Sequence, residues 1–240
     1  MANQLDEHVE AYQGNTAYEL DNHVLLNWYP KRVLALTQRR SSLLELGLGH
    51  GYATSSLAGN FDRHVVLDGS PSVIQNFRDR YPDCTVEITE TYFESFDTTE
   101  RFDTIIMGFI LEHVEDPLAL VRQYRKFLSP GGDLFFCVPN AEALNRRVGH
   151  AAGMLADMFS LSENDRLLGH LRYFSVDSVK ELILASGLDH VTLEGIFLKP
   201  ITTQQLLSLK LDPRIIPALC EVGIGYPELC CGILAQLRSS

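Results

Sequence analysis

The sequence predicts an α/β protein with a mostly parallel sheet and helices on both of its faces. Three observations predict it. Strand-like apolar runs alternate with helix-like segments between residues 41 and 138. A glycine-rich turn joins the first strand to the next helix. An acidic residue, Asp68, ends the second strand about twenty residues later.

The elements follow in order. Residues 5–40 read as helical, with Pro30 interrupting the pattern and starting a second helix. Residues 41–46 form a short apolar run that ends at Gly47, the pattern of a buried strand. A helix is expected from Gly51 to about Asn60, and a second strand over His64–Asp68. Next come a helix over Ser72–Tyr81 and a third strand over Thr85–Ile88. The fourth strand is expected over Phe102–Met107, followed by a helix over Pro117–Leu128. Pro130-Gly131-Gly132 reads as a turn before a fifth strand over Asp133–Val138. Residues 140–165 suggest one or two helices with a loop, and Val176–Ser186 a helix ended by Gly187. Residues 190–197 and 229–237 supply two last strands, with helical material between them.

Composition narrows the function classes. An apolar fraction of 45% supports an ordinary globular core. The formal net charge of −11 disfavours a nucleic-acid partner. Arg146, Arg147, Arg166 and Arg172 are too few and scattered for a nucleic-acid groove, although they could meet one anionic group on a small molecule. The N-terminal residues show neither a basic nor an apolar signal region. No apolar run reaches the ~18 residues of a membrane span. The expectation is a cytoplasmic protein without integral membrane association, and a homodimer is compatible with the sequence. The five cysteines, at 84, 137, 220, 230 and 231, form no CxxC pair and read as free buried thiols. Adjacent Cys230 and Cys231 leave a vicinal redox pair as the alternative.

The sharpest signal is Leu43-Leu-Glu-Leu-Gly-Leu-Gly-His-Gly-Tyr52. Gly47, Gly49 and Gly51 permit a tight turn and a close ligand approach, and the following helix N-terminus offers free N–H groups. Dinucleotide folds space their glycines as G-x-G-x-x-G, whereas Gly51 comes one residue too soon. This disfavours a dehydrogenase. Asp68, beside Gly69, can accept hydrogen bonds from two ribose hydroxyls.

Glu45-x-Gly47-x-Gly49-x-Gly51 resembles the first motif of the class I S-adenosylmethionine-dependent methyltransferases. Ile88-Thr-Glu-Thr-Tyr-Phe-Glu-Ser-Phe96 is similar to that family's adenine-walling segment, with Glu90 in the acidic position and Thr91, Tyr92 and Phe93 as the wall. The family more often has Asp-Ala there. Phe102-Asp-Thr-Ile-Ile-Met-Gly-Phe-Ile-Leu-Glu-His113 resembles the fourth-strand motif, in which Gly108 and Phe109 would border the methionine part of the cofactor. Leu128–Asn140 resembles the turn and fifth strand. The ordered set covers residues 43–140. The resemblance implies a Rossmann-like, doubly wound, seven-stranded sheet, with S-adenosyl-L-methionine as cofactor and S-adenosyl-L-homocysteine as product.

Residues 139–174 resemble the ubiquinone-type O-methyltransferases and enzymes that methylate sugars or natural products, in which this insertion covers the acceptor. The chain is then a single domain over 1–240, comprising a helical cap (1–40), a cofactor-binding core (41–138), a lid (139–175) and a C-terminal completion of the sheet (176–240). The implied acceptor is a small molecule, and Asn140, Arg146, Arg172 and Tyr173 are expected to meet it. Tyr18, Asn22 and Trp28 would close the other side. His113 and His170 are candidate catalytic bases because imidazole suits proton transfer near neutral pH. No tight cluster of metal-type ligands is visible along the chain, so no metal is expected. The expected activity is methylation of a hydroxyl or amine on a sugar or biosynthetic intermediate. A ubiquinone-type O-methyltransferase and a non-catalytic S-adenosylmethionine-binding scaffold are the alternatives.

Overall fold

Neighbouring apolar residues in the central strands point to opposite faces of one sheet, so each strand feeds two cores. Leu44, Ile105 and Phe136 belong to one buried cluster, whereas Leu43, Ile106 and Phe135 belong to another. The computed structural model describes residues 19–239. Its seven strands are β1 Ser42–Leu46, β2 Arg63–Asp68, β3 Glu87–Glu90, β4 Phe102–Gly108, β5 Leu128–Pro139, β6 Asp189–Ile196 and β7 Gly232–Arg238. Their order is β3-β2-β1-β4-β5-β7-β6. The five strands from β3 to β5 run parallel, while β7 pairs antiparallel with both β5 and β6. The chain winds outward in opposite directions from β1 and β4. Their C-terminal ends therefore border a crevice suited to a ligand.

Helices α1 (Glu19–Leu36), α2 (Tyr52–Leu57) and α3 (Pro71–Arg80) precede β3. Helix α4 spans Pro117–Arg125, and α5 (Leu144–Ala151) and α6 (Glu163–Leu167) lie between β5 and Phe174. Helix α7 spans Val176–Ser186, and α8 (Thr203–Ser208) and α9 (Ile215–Gly223) separate β6 from β7. On one face, Leu120, Val121 and Tyr124 of α4 and Val179, Leu182 and Ile183 of α7 enter the first cluster. On the other, Tyr29 and Val33 of α1, Leu57 of α2 and Cys220 of α9 enter the second. Capping fixes several boundaries. Ser70 and Asp116 accept from backbone N–H groups at the starts of α3 and α4, and Pro follows each cap. Ser175 and Ser178 form a capping box on α7, which Gly187 ends in the left-handed conformation.

Three local expectations need correction. Pro30 starts no new helix: α1 runs through it, with Tyr29 and Pro30 both buried. Packing of this turn against the sheet outweighs the ~3 kcal/mol that an internal proline costs. The third strand lies over Glu87–Glu90, later than its apolar residues suggest, because edge pairing with β2 sets its register from Val65↔Glu87 to Asp68↔Glu90. The Pro130-Gly131-Gly132 turn is an irregularity inside β5. Leu128 pairs with Phe102 and Asp133 with Thr104, so the intervening residues bulge out of register.

All five cysteines are free thiols. Burial pushes the Cys231 thiol up to about 11, and burial raises Cys230 further, so neither is a ready thiolate. Cys230 instead donates to the carbonyl of Gly223 at 3.3 Å. Among the described residues, no helix is long and apolar enough to cross a membrane.

Candidate functional site

The C-terminal ends of β1, β2 and β4 open into a cavity of about 430 Å³. Its first wall is the glycine turn. Gly47, Gly49 and Gly51 all have positive φ (82°, 48° and 77°) and line the cavity. A Cβ on Gly51 would lie 2.6 Å from Tyr81 and 2.7 Å from Phe77, so this glycine also admits the α3 aromatics beneath the turn. Asp68 anchors the turn from the next strand. Its carboxylate accepts the Leu48 N–H at 2.9 Å and the Ser70 N–H at 2.9 Å. The turn is thus held open by backbone conformation and one carboxylate. Asp68 and Gly69 line the cavity beside it.

Glu45 lies behind the turn rather than in it. It is buried and bonds His64 Nε2 at 2.8 Å between β1 and β2, outside the cavity lining. In the expected adenine wall, Phe93 lines the cavity. Glu90 and Tyr92 are exposed, and Thr91 is half-buried; none of the three is part of the lining. Glu90 ends the exposed edge strand β3, and Thr91 and Tyr92 follow it.

Gly108 and Phe109 form the middle of the cavity. A Cβ on Gly108 would fall 2.2 Å from the Tyr29 hydroxyl, so only glycine lets α1 pack here. Phe109 adopts φ 58°, unfavourable for a side chain of this size. Its N–H donates to Cys137 O at 2.9 Å, and its ring meets Tyr29 edge-on at 5.9 Å.

The far end is built from side chains. Glu112, His113 and His170 each offer a donor atom, and these atoms lie within 4.8 Å of one another. The imidazoles of His113 and His170 meet edge to face, with centroids 4.8 Å apart. Glu112 is 1% exposed, and its Oε2 has no hydrogen-bond partner. Burial pushes its carboxyl up to about 7 against the opposing pull of His170. Asp165 Oδ1 lies 3.4 Å from His170 Nδ1, an ion-pair distance outside good hydrogen-bond geometry. Burial works to raise the Asp165 carboxyl, but His170 and the Ser162 cap together hold it down at about 2.

Residues of the 139–175 segment close over this end. Arg146 donates to the carbonyls of Ala141, Met158 and Ser160, and its guanidinium stacks 4.2 Å from the Tyr173 ring centroid. Tyr173 in turn donates to Asp165 at 3.1 Å. Both line the cavity, yet Arg146 spends its hydrogen bonds holding the segment together. Asn140 also lines it, with its amide donating to Pro227 O and Cys230 O. Arg172 points elsewhere, to the carbonyl of Glu115, and is not in the lining.

From α1, Asn22 enters the lining with its Nδ2 3.5 Å from His50 Nε2. Trp28 packs instead with the second core cluster, with Lys31 6.0 Å above its ring. Tyr18 lies outside the described residues. Sequence reasoning missed four buried lining residues: Glu112, Asp165, Asp21 and Lys199. The Asp21 carboxylate takes Lys199 Nζ at 2.5 Å and the Thr203 hydroxyl at 2.7 Å, tying α1 to the segment after β6. Glu112 had a visible signal, its place beside His113 after the fourth strand. Asp165 had a local one, the Ser162-x-x-Asp165 capping box at the start of α6, whereas Asp21 and Lys199 had none, because they meet across 178 positions.

A family model described as a methyltransferase domain matches residues 18–193. A ubiquinone biosynthesis O-methyltransferase of Cereibacter sphaeroides is 27% identical over 175 residues, spanning 70% of this chain and 68% of that one. Among solved structures, the N-methyltransferase NodS of Bradyrhizobium japonicum, in complex with S-adenosyl-L-homocysteine, matches with a TM-score of 0.64 at 20% identity over 99% of both chains. An S-adenosylmethionine-dependent methyltransferase of Mesorhizobium loti matches with a TM-score of 0.60 at 16% identity, covering 89% of this chain and 97% of that one. The structural matches show a shared fold.

Proposed function

The chain belongs to the methyltransferase-domain family and is an S-adenosylmethionine-dependent methyltransferase, and from that premise we propose that it methylates a hydroxyl group on a small biosynthetic intermediate. One observation carries the reading. A single cavity runs from the glycine turn and Asp68, past Gly108 and Phe109, to Glu112, His113 and His170. The glycine-turn end suits the cofactor: Asp68 can take the ribose hydroxyls, and the turn can lie against the amino-acid part. The Glu112 end suits the acceptor. Methyl transfer is an in-line displacement, so the middle of the cavity must hold the acceptor atom opposite sulfur and exclude water.

In that step an acceptor lone pair bonds the methyl carbon, the carbon–sulfur bond breaks, and its electron pair stays on sulfur. A neutral amine needs only alignment, whereas a hydroxyl must also lose a proton. The crowd of proton-accepting groups at the far end favours the hydroxyl, with His113 or His170 as base. The 139–175 segment acts as the lid, and Arg146 and Tyr173 are its inner surface. A sugar or a ubiquinone-type phenol both fit this class. The relatives span O- and N-methylation by name. A cytoplasmic setting without a nucleic-acid partner belongs to the same proposal, supported by the net charge of −11.

The test is turnover with methyl-labelled S-adenosylmethionine against matched sets of phenols, sugar alcohols and primary amines. Label is expected in an ether product from the first or second set, with S-adenosylhomocysteine formed in equal amount. Label found only in amines would overturn the hydroxyl assignment.

A further inference from the structure

We infer that Glu112, His113 and His170 form a binding site for one divalent transition-metal cation of the zinc or manganese type, at the acceptor end of the cavity. The inference deepens the proposed methyl transfer and rests on it for the role of the ion, though not for its binding.

The donor set points to a metal. Two imidazoles and one carboxylate, drawn from two separate segments of chain, place their donor atoms within 4.8 Å of one another. Metal–ligand bonds of about 2.0–2.2 Å set neighbouring donors roughly 3.0–3.5 Å apart, so side-chain movements of about 1 Å would complete the site. All three residues face the cavity, which leaves the ion's remaining positions open. This is the arrangement of a catalytic site rather than of a closed structural one.

The second observation is independent of the clustering. The Glu112 side chain is buried, yet its Oε2 has no hydrogen-bond partner. A buried carboxylate oxygen left unpaired is costly, and a cation held between it and the imidazoles would remove that cost. Asp165 supplies a third element. Its Oδ1 stands 3.4 Å from His170 Nδ1, and the Tyr173 hydroxyl and the Ser162 cap hold the carboxylate in place. A carboxylate behind a histidine ligand orients the ring and raises its basicity.

The ligand types choose the ion. Calcium and magnesium favour sites made wholly of oxygen, whereas two imidazoles favour zinc and its neighbours; manganese, suited to the carboxylate and open water positions, binds the same set more weakly and serves as the spectroscopic probe. The chemistry supplied is Lewis acidity: a cation beside an acceptor hydroxyl lowers its pKa, so its proton can leave to water near neutral pH. The oxygen lone pair then bonds the methyl carbon, and the carbon–sulfur pair goes to sulfur. This replaces the histidine base of the proposed function: the imidazoles are ligands of the ion, and the cation drives loss of the acceptor proton.

The experiment uses the full chain, dialysed against a chelator and then freed of it. Mn²⁺ is titrated and bound ion counted from the free-ion spin-resonance signal, with Zn²⁺ and Mg²⁺ as competitors. One Mn²⁺ per chain is expected, displaced by Zn²⁺ and hardly by Mg²⁺. Glu112→Gln and His170→Ala should each abolish stoichiometric binding, and Asp165→Asn should weaken it about 10–100-fold. S-adenosylmethionine affinity, measured in parallel, reports whether each variant is folded, and two ligand variants guard against one that is not. Failure of wild type to bind Mn²⁺ or Zn²⁺, or unchanged binding in a folded ligand variant, overturns the inference. Methyl transfer that proceeds undiminished in chelator also overturns it while leaving the methyltransferase reading intact. Stoichiometric metal binding without any methylated hydroxyl product would keep the site and sink the role assigned to it.

Discussion

The two ends of the cavity are built in different ways. The end proposed for the cofactor is made of backbone: three positive-φ glycines in five residues, with two N–H groups pinned by one carboxylate. The end proposed for the acceptor is made of side chains brought from Glu112–His113, Asp165 and His170, more than fifty residues apart at the extremes. A backbone site constrains its own local sequence, because glycine is nearly the only residue that fits. A side-chain site constrains residue types but not their spacing. The difference predicts that damage at the first end falls on cofactor binding and damage at the second on the acceptor alone.

The largest expected effect is at Gly49. Its φ of 48° disfavours a β-branched residue, and a new side chain would enter the lining of the cavity. Gly49→Val should weaken S-adenosylmethionine binding by about 100-fold or more, counting strain of about 1–3 kcal/mol and lost space. Calorimetry on the folded variant checks this, and near wild-type affinity would break the comparison at its first end. Asp68→Ala comes next. Losing charge-assisted hydrogen bonds worth about 1.5–3 kcal/mol should weaken cofactor binding roughly 10–150-fold. Because Asp68 also pins Leu48 and Ser70, Asp68→Asn should recover part of the loss. Equal losses in both variants would place the effect on charge alone.

A smaller effect is expected in the segment proposed as a lid. Arg146→Met frees the carbonyls of Met158 and Ser160. Limited proteolysis within residues 152–162 should speed up several-fold, at a local cost of about 1–3 kcal/mol. S-adenosylmethionine affinity should stay within about twofold, since Arg146 binds only its own segment. Ser175→Ala is the control outside both ends. Removing the α7 cap should lower stability by ~1 kcal/mol, with no change in cofactor affinity. A cofactor defect in this variant would show that global stability, and not the site, governs binding.

The same contrast explains what the sequence made legible. The order of strands and helices was readable because the central strands are buried on both faces and the turns carry Gly and Pro. Gly47, Gly49, Gly51 and Asp68 follow from local pattern, Gly108 and Phe109 from the resemblance of the fourth-strand motif, and all of them line the cavity. Glu45 matched the same pattern but serves the strand interior through His64, a partner that spacing does not reveal. The third strand was placed too early, since edge pairing, not apolar content, sets where β3 lies, and that pairing puts Glu90 beside Asp68. At the acceptor end His113 and His170 stood out as residue types. Their proximity to each other and to Glu112 depends on the path of the chain through α5 and α6, which no local pattern encodes. Asp21 and Lys199 illustrate the extreme: 178 positions apart, they meet only because α1 folds back over the end of β6.

The most direct measurement of the central claim is a paired one: S-adenosylmethionine affinity by calorimetry, and single-turnover methyl transfer to an accepted hydroxyl substrate, in Asp68→Ala and His170→Ala. The account predicts a crossed result. Asp68→Ala loses cofactor affinity and recovers most of its transfer rate at saturating cofactor. His170→Ala keeps its affinity within about twofold and loses about 10²–10⁴-fold in the transfer step. If His170→Ala lost cofactor affinity as Asp68→Ala does, or transferred methyl at the wild-type rate, the division of the cavity into a cofactor end and an acceptor end would be contradicted.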